Sequence, residues 1–127
     1  MRQGIDLERG RGDLDFGQGF YTTTRLQQAQ QWAHRLFDAP VVLTFRIPVS
    51  DIQKLNRLVF DKPDETWVRF VERHRSGRAL HDYDLVEGPY IANPQQFKIG
   101  AVPVAKGQQS SWHSPVTVEL LMKGLVD

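Results

Sequence analysis

The chain has 127 residues, enough for one domain with a hydrophobic core but too few for two. Its composition, 40% apolar and 24% charged, is ordinary for a soluble globular protein. A formal net charge of +1 provides no broad positive field, so the composition does not favour a dedicated nucleic-acid binder. The lack of cysteine excludes a disulfide framework, a thiolate nucleophile and a zinc–cysteine site.

The sequence also limits where the protein acts. No apolar run approaches the roughly 20 residues that cross a bilayer, so no membrane span is expected. Residues 1–5 lack the apolar core of a signal peptide. We therefore expect a cytoplasmic protein, with a secreted effector as the alternative. Four arginines between residues 69 and 78 leave a nucleic-acid binder as a third reading, although a helix surface explains them more simply.

The first half of the chain predicts a loop, a strand, a helix and a second strand. Residues 1–14 are rich in glycine and charge, and read as loop at the start of one domain that spans 1–127. Aromatic and hydroxyl residues at 19–23 predict a short strand. Thr24 is placed to cap a helix over 25–37. The β-branched run at 41–47 gives the clearest strand prediction.

The second half mixes strands and helices irregularly. Strands are predicted at 58–60, 83–87, 99–104 and 108–113, and helices at 63–77 and 115–124. On the first of these helices, helical spacing predicts one apolar face made of Trp67, Phe70, Val71 and His74. We expect Gly88 and Pro89 to break the second of these strands, and Ser114 to cap the last helix. Several strands follow one another late in the chain. This order predicts an α+β fold rather than a regular parallel α/β sheet.

The most concentrated chemistry lies just before the first helix. Gly17 and Gly19 allow the backbone to bend and to approach a ligand, or they simply shape a loop. Tyr21 either stacks on a ligand ring or fills the core, and it points to the opposite side of the strand from Phe20. The glycines precede the strand, so the order does not match a Rossmann dinucleotide fingerprint.

Two other site classes lack their signatures. The four histidines have no metal-binding spacing, so no metal site is predicted. Ser110, Ser111 and His113 could contribute to a hydrolase triad, but the chain contains no Gly-x-Ser-x-Gly nucleophile elbow.

Several blocks of the sequence, taken together, resemble those of a known family. The run Asp-Phe-Gly-Gln-Gly-Phe-Tyr-Thr-Thr at 15–23, with Gln-Ala-Gln-Gln-Trp-Ala at 28–33, resembles a small bacterial toxin-like domain family of unknown function within the ADP-ribosyltransferase superfamily. Three later blocks, at 65–71, 83–89 and 109–114, resemble the same family in the same order. Together the blocks cover nearly the whole chain.

The resemblance implies a fold and a site. The fold is an ADP-ribosyltransferase-like split β-sandwich with flanking helices, around a cleft that binds NAD as substrate without a metal. Tyr21 takes the position of the family's nicotinamide-stacking tyrosine, and Gln109 takes the late position that bonds the ribose hydroxyls. The residues implied at the nicotinamide end are Gly17, Gly19, Phe20, Thr22 and Thr23.

The chain departs from the family pattern at its start. The family's first strand carries a histidine, and no histidine precedes His34 here, so we expect a fold that lacks that strand. A missing strand would expose a sheet edge to a second copy or an antitoxin.

The resemblance implies transfer of ADP-ribose from NAD to an unidentified acceptor, as in bacterial toxins. Gln109 is neutral and contributes only a dipole to a site that develops positive charge, so a weaker or differently targeted transferase is expected. The alternative is a non-catalytic NAD-binding or protein-interaction domain on the same scaffold.

Overall fold

The computed structural model describes Leu7 and residues 14–36, 41–77 and 80–126. In these residues the elements are β1 (Phe20–Thr22), α1 (Leu26–Leu36), α2 (Val49–Gln53), β2 (Arg57–Val59), α3 (Glu65–Arg75), β3 (Leu85–Ile91), α4 (Pro94–Lys98), β4 (Ala105–Trp112) and α5 (Pro115–Gly124). The strands form one open mixed sheet in the order β1-β4-β3-β2. Strands β2 and β3 are parallel, and the other pairs are antiparallel. The predicted α+β class is confirmed.

Helix α3 packs against one face of the sheet. Asp64 caps it, because its carboxylate accepts a hydrogen bond from the Trp67 amide at 3.1 Å. Helical spacing places Trp67, Val71 and His74 on the buried side, as the sequence predicts. The larger core cluster lies here and consists of Phe16, Phe60, Trp67, Val71, Val86 and Ile91.

Helix α5 and residues 45–55 cover the opposite face. Ser114 caps α5 through a reciprocal capping box with Thr117, which confirms that prediction. Phe20 of β1 meets Phe45 edge to face at 6.0 Å between ring centroids. The second core cluster lies between these elements and consists of Leu85, Trp112 and Leu121.

The clearest strand prediction, at 41–47, is wrong. Only Phe45 forms a β-bridge, and its partner is Leu125 rather than a strand of the sheet. Val41 is 71% exposed, so this end of the β-branched run is not covered by a packing layer. Strand propensity reflects how well a side chain fits a half-buried surface, and it does not supply a pairing partner.

Of two further predictions near β3, one holds in part and the other is wrong. Gly88 and Pro89 interrupt the regular β3–β4 pairing, because the register shifts near them, but the strand continues to Ile91. Residues 99–104 are not a strand. The Asn93 side chain instead donates to the Val102 carbonyl at 2.9 Å and accepts from the Val104 amide at 2.7 Å, which satisfies this backbone locally.

The start of α1 also differs from the prediction. The Thr24 amide and hydroxyl donate to Oε1 of Gln108 at 2.8 and 3.2 Å, which ties Thr24 to β4 instead of leaving it to cap the helix. The Arg25 amide donates to the Thr23 hydroxyl, and α1 begins at Leu26. A tertiary contact therefore overrides the local capping signal.

Parts of the sequence predictions fall outside the described residues. These are the loop at 1–14, apart from Leu7 and Leu14, and the predicted end of the first helix at 37–40. Within the described ranges, every helix is too short or too polar to cross a membrane.

Candidate functional site

The two glycines of the motif are required by backbone geometry. Gly17 has a φ of +87°, where a side chain is disfavoured, and its amide closes a turn by donating to the Leu14 carbonyl at 3.1 Å. A Cβ built on Gly19 would lie 2.6 Å from Nδ1 of His113. The glycines therefore shape the loop before β1, which is one of the two roles that the sequence allows.

Side chains from three parts of the chain hold this loop through the consecutive carbonyls of residues 16–18. Nε2–H of His81 donates to the first at 2.9 Å, the Tyr21 hydroxyl to the second at 2.6 Å, and Nδ1–H of His113 to the third at 2.8 Å. Carbonyls only accept, so these bonds define the donor atoms. The loop is fixed by tertiary contacts at each of its three carbonyls.

Tyr21 has a half-buried ring and an engaged hydroxyl. Besides donating to the loop, its oxygen accepts from the Phe16 amide at 2.9 Å. The ring stacks on Phe16 at 6.4 Å and meets the edge of His113 at 6.4 Å. Burial raises the pKa of the Tyr21 phenol above its ordinary value, so the group is a neutral hydrogen-bonding side chain at physiological pH.

Gln109 belongs to a buried polar network centred on Asp15, each residue being 4% exposed. Nε2 of Gln109 donates to Oδ2 of Asp15 at 2.9 Å and to the Pro89 carbonyl at 3.3 Å. The same carboxylate accepts from the Ile91 amide at 2.9 Å and pairs with Nε of Arg75 at 2.6 Å. The buried charge is thereby paired and hydrogen-bonded. Sequence reasoning gave Asp15 no role, although it opens the motif.

The sheet register brings Tyr21 and Gln109 to the same face. Tyr21 pairs with Ser111 across the β1–β4 ladder, and Gln109 lies two residues along β4 from that partner. Because side chains alternate along a strand, both residues face the layer that contains α3.

The remaining predicted residues are distributed elsewhere. Phe20 and Thr22 face the α5 layer, where the Thr22 hydroxyl accepts from Nε1 of Trp112 at 2.9 Å. Thr23 follows β1, and its hydroxyl donates to Oε1 of Gln108 at 3.1 Å. The fold therefore joins Tyr21, Gln109 and the glycine loop on one side, and separates them from Phe20 and Thr22.

A histidine cluster adjoins the loop, and sequence reasoning missed it. His74 comes from α3, His81 precedes β3, and His113 follows β4. The ring centroids of His74 and His81 are 5.2 Å apart, and those of His81 and His113 are 4.3 Å apart. Burial is the main cause that lowers the pKa of all three imidazoles below the ordinary range. No local spacing could reveal this cluster, because its members are up to 39 residues apart.

Ser111 and His113 form a close pair. Oγ of Ser111 lies 2.6 Å from Nε2 of His113, which is the geometry of a serine whose proton can pass to an imidazole. Their spacing of two residues on a strand is the signal that places them on one face. Ser111 is 0% exposed, however, so its hydroxyl has no access to a substrate and the pair is structural.

In the parts of the chain that the structure describes, no three or more histidine, aspartate or glutamate side chains are arranged to hold a metal ion. A cavity of about 700 Å³ lies between α3 and α4, and its walls include Val68, Arg75 and Phe97. Arg75 connects this cavity to the Asp15–Gln109 network.

Fold and site together define a small α+β domain with a glycine loop fastened over one face of a four-stranded mixed sheet. The chain belongs to the family described as "Protein of unknown function (DUF3990)", whose model matches residues 2–109. Neither the curated proteins nor the solved structures contain a significant match to this chain.

Proposed function

We propose that this chain is an ADP-ribosyltransferase-like domain that binds NAD at the sheet face carrying Tyr21 and Gln109. The observation that carries the proposal is the β1–β4 register, which puts these two distant residues on one face beside the glycine loop. They are also the two residues that the resemblance places at the nicotinamide and the ribose.

The sheet is compatible with the split β-sandwich that the resemblance implies. In the described residues, β1 pairs with β4 and has no second neighbour. A histidine-bearing strand supplied on that side would extend the sheet next to Tyr21. Residues 44–46 and 124–126 pair separately through bonds of 2.7 and 2.8 Å, which could begin the second sheet of such a sandwich.

The Asp15–Gln109 network supports a role at a charged transition state. Breaking the bond between nicotinamide and ribose builds positive charge on the sugar, and nearby negative groups stabilise it. Gln109 is neutral, but its amide nitrogen is held by the Asp15 carboxylate at 2.9 Å. This bond would orient the amide so that its oxygen accepts from the ribose hydroxyls once the loop has moved, because Gln109 is only 4% exposed with the loop in place.

A second candidate is a non-catalytic binding domain on the same scaffold. The observation that favours it is that the Tyr21 hydroxyl is already bonded to the loop, and that Phe16 stacks on the ring. A nicotinamide ring could reach Tyr21 only after the loop moved. Binding without turnover, or docking of an antitoxin or a second copy at the β1 edge, fits this arrangement.

The deciding experiment combines binding with turnover. NAD is titrated into the purified protein by calorimetry, and labelled NAD is incubated with the protein and a bacterial lysate. Transfer or NAD hydrolysis that is lost in Tyr21→Ala supports the transferase. Heat of binding without turnover supports the second candidate. If neither binding nor turnover is observed, NAD is not a ligand of this protein and the NAD-dependent part of the proposal is wrong.

A folded-state control is needed because Tyr21 also holds the loop. Tyr90→Phe removes a hydroxyl from a tyrosine that packs against Trp32 at 5.4 Å on another part of the sheet. It should retain the wild-type NAD response. Light scattering coupled to size exclusion then tests the second-copy version, which requires a dimer.

A further inference from the structure

Hydrogen-bond partners define the proton positions on two of the clustered histidines. Nε2–H of His81 donates to the loop, and Nδ1 must accept from the Tyr83 amide at 3.1 Å, because an amide N–H only donates. Nδ1–H of His113 donates to a loop carbonyl, and in the neutral ring Nε2 accepts from the Ser111 hydroxyl. That hydroxyl also lies 3.3 Å from the Val86 carbonyl, so burial rather than the hydrogen-bond pattern keeps His113 neutral.

His74 is also kept neutral by burial. Its Nδ1–H donates to the Phe70 carbonyl at 2.7 Å, and the ring stacks on Phe70 with centroids 4.0 Å apart. The residue is 3% exposed, and Nε2 is buried without a hydrogen-bond partner in the described structure. A proton on Nε2 would place a charge in the core with no acceptor.

We propose that His74, His81 and His113 form an acid-sensitive latch, which holds the loop at 16–18 against the sheet at neutral pH and releases it when the rings become charged. The loop is the part that His81 and His113 hold directly through its carbonyls. His74 lies beneath it, since a Cβ added to Gly17 would contact the His74 ring at 3.5 Å.

The surroundings compensate only in part for charge on the cluster. The carbonyls that accept from the three rings favour the charged form, but burial is the larger cause and lowers the pKa of each ring. Protonation of His81 would set Nδ1–H against the Tyr83 amide, which is also a donor. Asp82 favours a charged His81, but Arg73 disfavours a charged His74, and the rings repel one another at contact distance. The charged and titratable side chains that contact the cluster or its loop, or that act on the charge of the cluster, are Asp15, Tyr21, Arg73, Arg75, Asp82 and Tyr83.

The sign and size of the expected pH effect on loop opening follow from the lowered pKa of His113. Burial lowers the pKa of His113 from 6.5 to about 4, and the neighbouring histidines add to this. The released state binds the proton more tightly, so opening becomes favoured as the pH falls from 6.5 towards 4. The full difference corresponds to roughly a 300-fold change below pH 4 and to roughly 70-fold at pH 4.5, and partial solvent exposure reduces our expectation at pH 4.5 to about 30-fold.

The latch is independent of whether NAD binds, so its test needs no ligand. Hydrogen–deuterium exchange, corrected for intrinsic rates, is followed between pH 7.5 and 4.5 in the segments 14–22 and 85–91. We expect protection of the first segment to fall by about 30-fold over this pH range while β3 stays protected. Protection that is constant, or that is lost in both segments together, would overturn the proposal.

Matched variants separate the histidines from Asp15, whose carboxylate also holds this loop. His81→Gln and His113→Asn keep an amide donor near the lost N–H but cannot be charged, so each should make the acid opening at least 10-fold smaller. His34→Gln removes an exposed histidine on α1 and should leave the opening unchanged. An acid opening of wild-type size in the His81→Gln/His113→Asn double variant would refute the latch, because neither ring that holds the loop directly would then be present.

If either variant fails to fold, the wild-type protein still decides the matter. Histidine side-chain titration by NMR should then show His113 titrating well below the ordinary imidazole pKa of 6.5. A His113 that titrates near pH 6.5 while the loop remains protected would overturn the proposal.

Discussion

Replacing Tyr21 with phenylalanine separates the two roles of this residue. The substitution keeps the ring that stacks on Phe16 and meets His113. It removes the hydroxyl, which bridges the Gly17 carbonyl at 2.6 Å and the Phe16 amide at 2.9 Å. A ligand that stacks on the ring loses nothing directly, whereas the loop loses its central tie.

The expected cost follows from the two lost bonds. A typical intramolecular hydrogen bond contributes about 1 kcal/mol net, and a buried partner left unsatisfied costs about 1–3 kcal/mol. Water can reach part of this half-buried site, so we expect Tyr21→Phe to lower the free energy of unfolding by about 2 kcal/mol. For a domain of this size, that corresponds to a fall in Tm of about 8 °C.

Urea unfolding followed by tryptophan fluorescence measures this difference, with Tyr90→Phe as the matched control. The described residues form no hydrogen bond to the Tyr90 hydroxyl, so its removal should change the unfolding free energy by less than about 0.5 kcal/mol. A Tyr21→Phe protein as stable as Tyr90→Phe would refute the loop tie, and would mean that the hydroxyl is free to meet a ligand.

Three further outcomes follow from neighbouring contacts. Gln109→Glu places a second carboxylate against Asp15 in the buried network and should lower the free energy of unfolding by about 2 kcal/mol at pH 7. Part of this loss should be recovered at pH 5, because one of the two carboxyl groups takes up a proton, and urea unfolding at both pH values checks this. Gly19→Ala should lower the free energy of unfolding by about 2 kcal/mol, because the added Cβ would lie 2.6 Å from His113. Gly77→Ala is the control: its Cβ meets open space, so only backbone strain of about 1 kcal/mol is expected. Equal losses of Tm in the two variants would contradict the close approach. Because burial lowers the pKa of His113, the neutral ring contributes stability that is fully present above about pH 6.5 and is lost as the pH falls towards 4. The expected loss is about 2 kcal/mol after allowance for exposure. Urea unfolding that gives the same free energy across this pH range would argue against the buried neutral ring.

Helices were predicted best where the spacing of apolar side chains or a capping residue marked the helix clearly. The spacing of Trp67 and Val71 identified the buried side of α3, and Ser114 before Pro115 identified the start of α5. Such signals lie within one or two turns, so the chain carries them locally. The short helices α2 and α4 were missed, because five residues contain too little periodicity to recognise.

The site was predictable only in its parts. The sequence singled out Gly17, Gly19 and Tyr21 as one block and Gln109 as another, and the register then brought the two blocks to one face. It gave no sign of the bond between Gln109 and Asp15, because 94 residues separate them. Hydrogen bonds between distant residues depend on a register that no local pattern encodes.

By itself, the sequence determined the α+β class, the main helices and the backbone freedom of the motif, since each depends on residues close together in the chain. Only the tertiary structure decided that 41–47 lies outside the sheet, that Thr24 bonds β4 instead of capping a helix, and that three distant histidines meet under one loop. The physical reason is that strand pairing and burial are shared between segments. The residues of a segment determine which secondary structures it can form, and its contacts with other segments determine which of them it adopts.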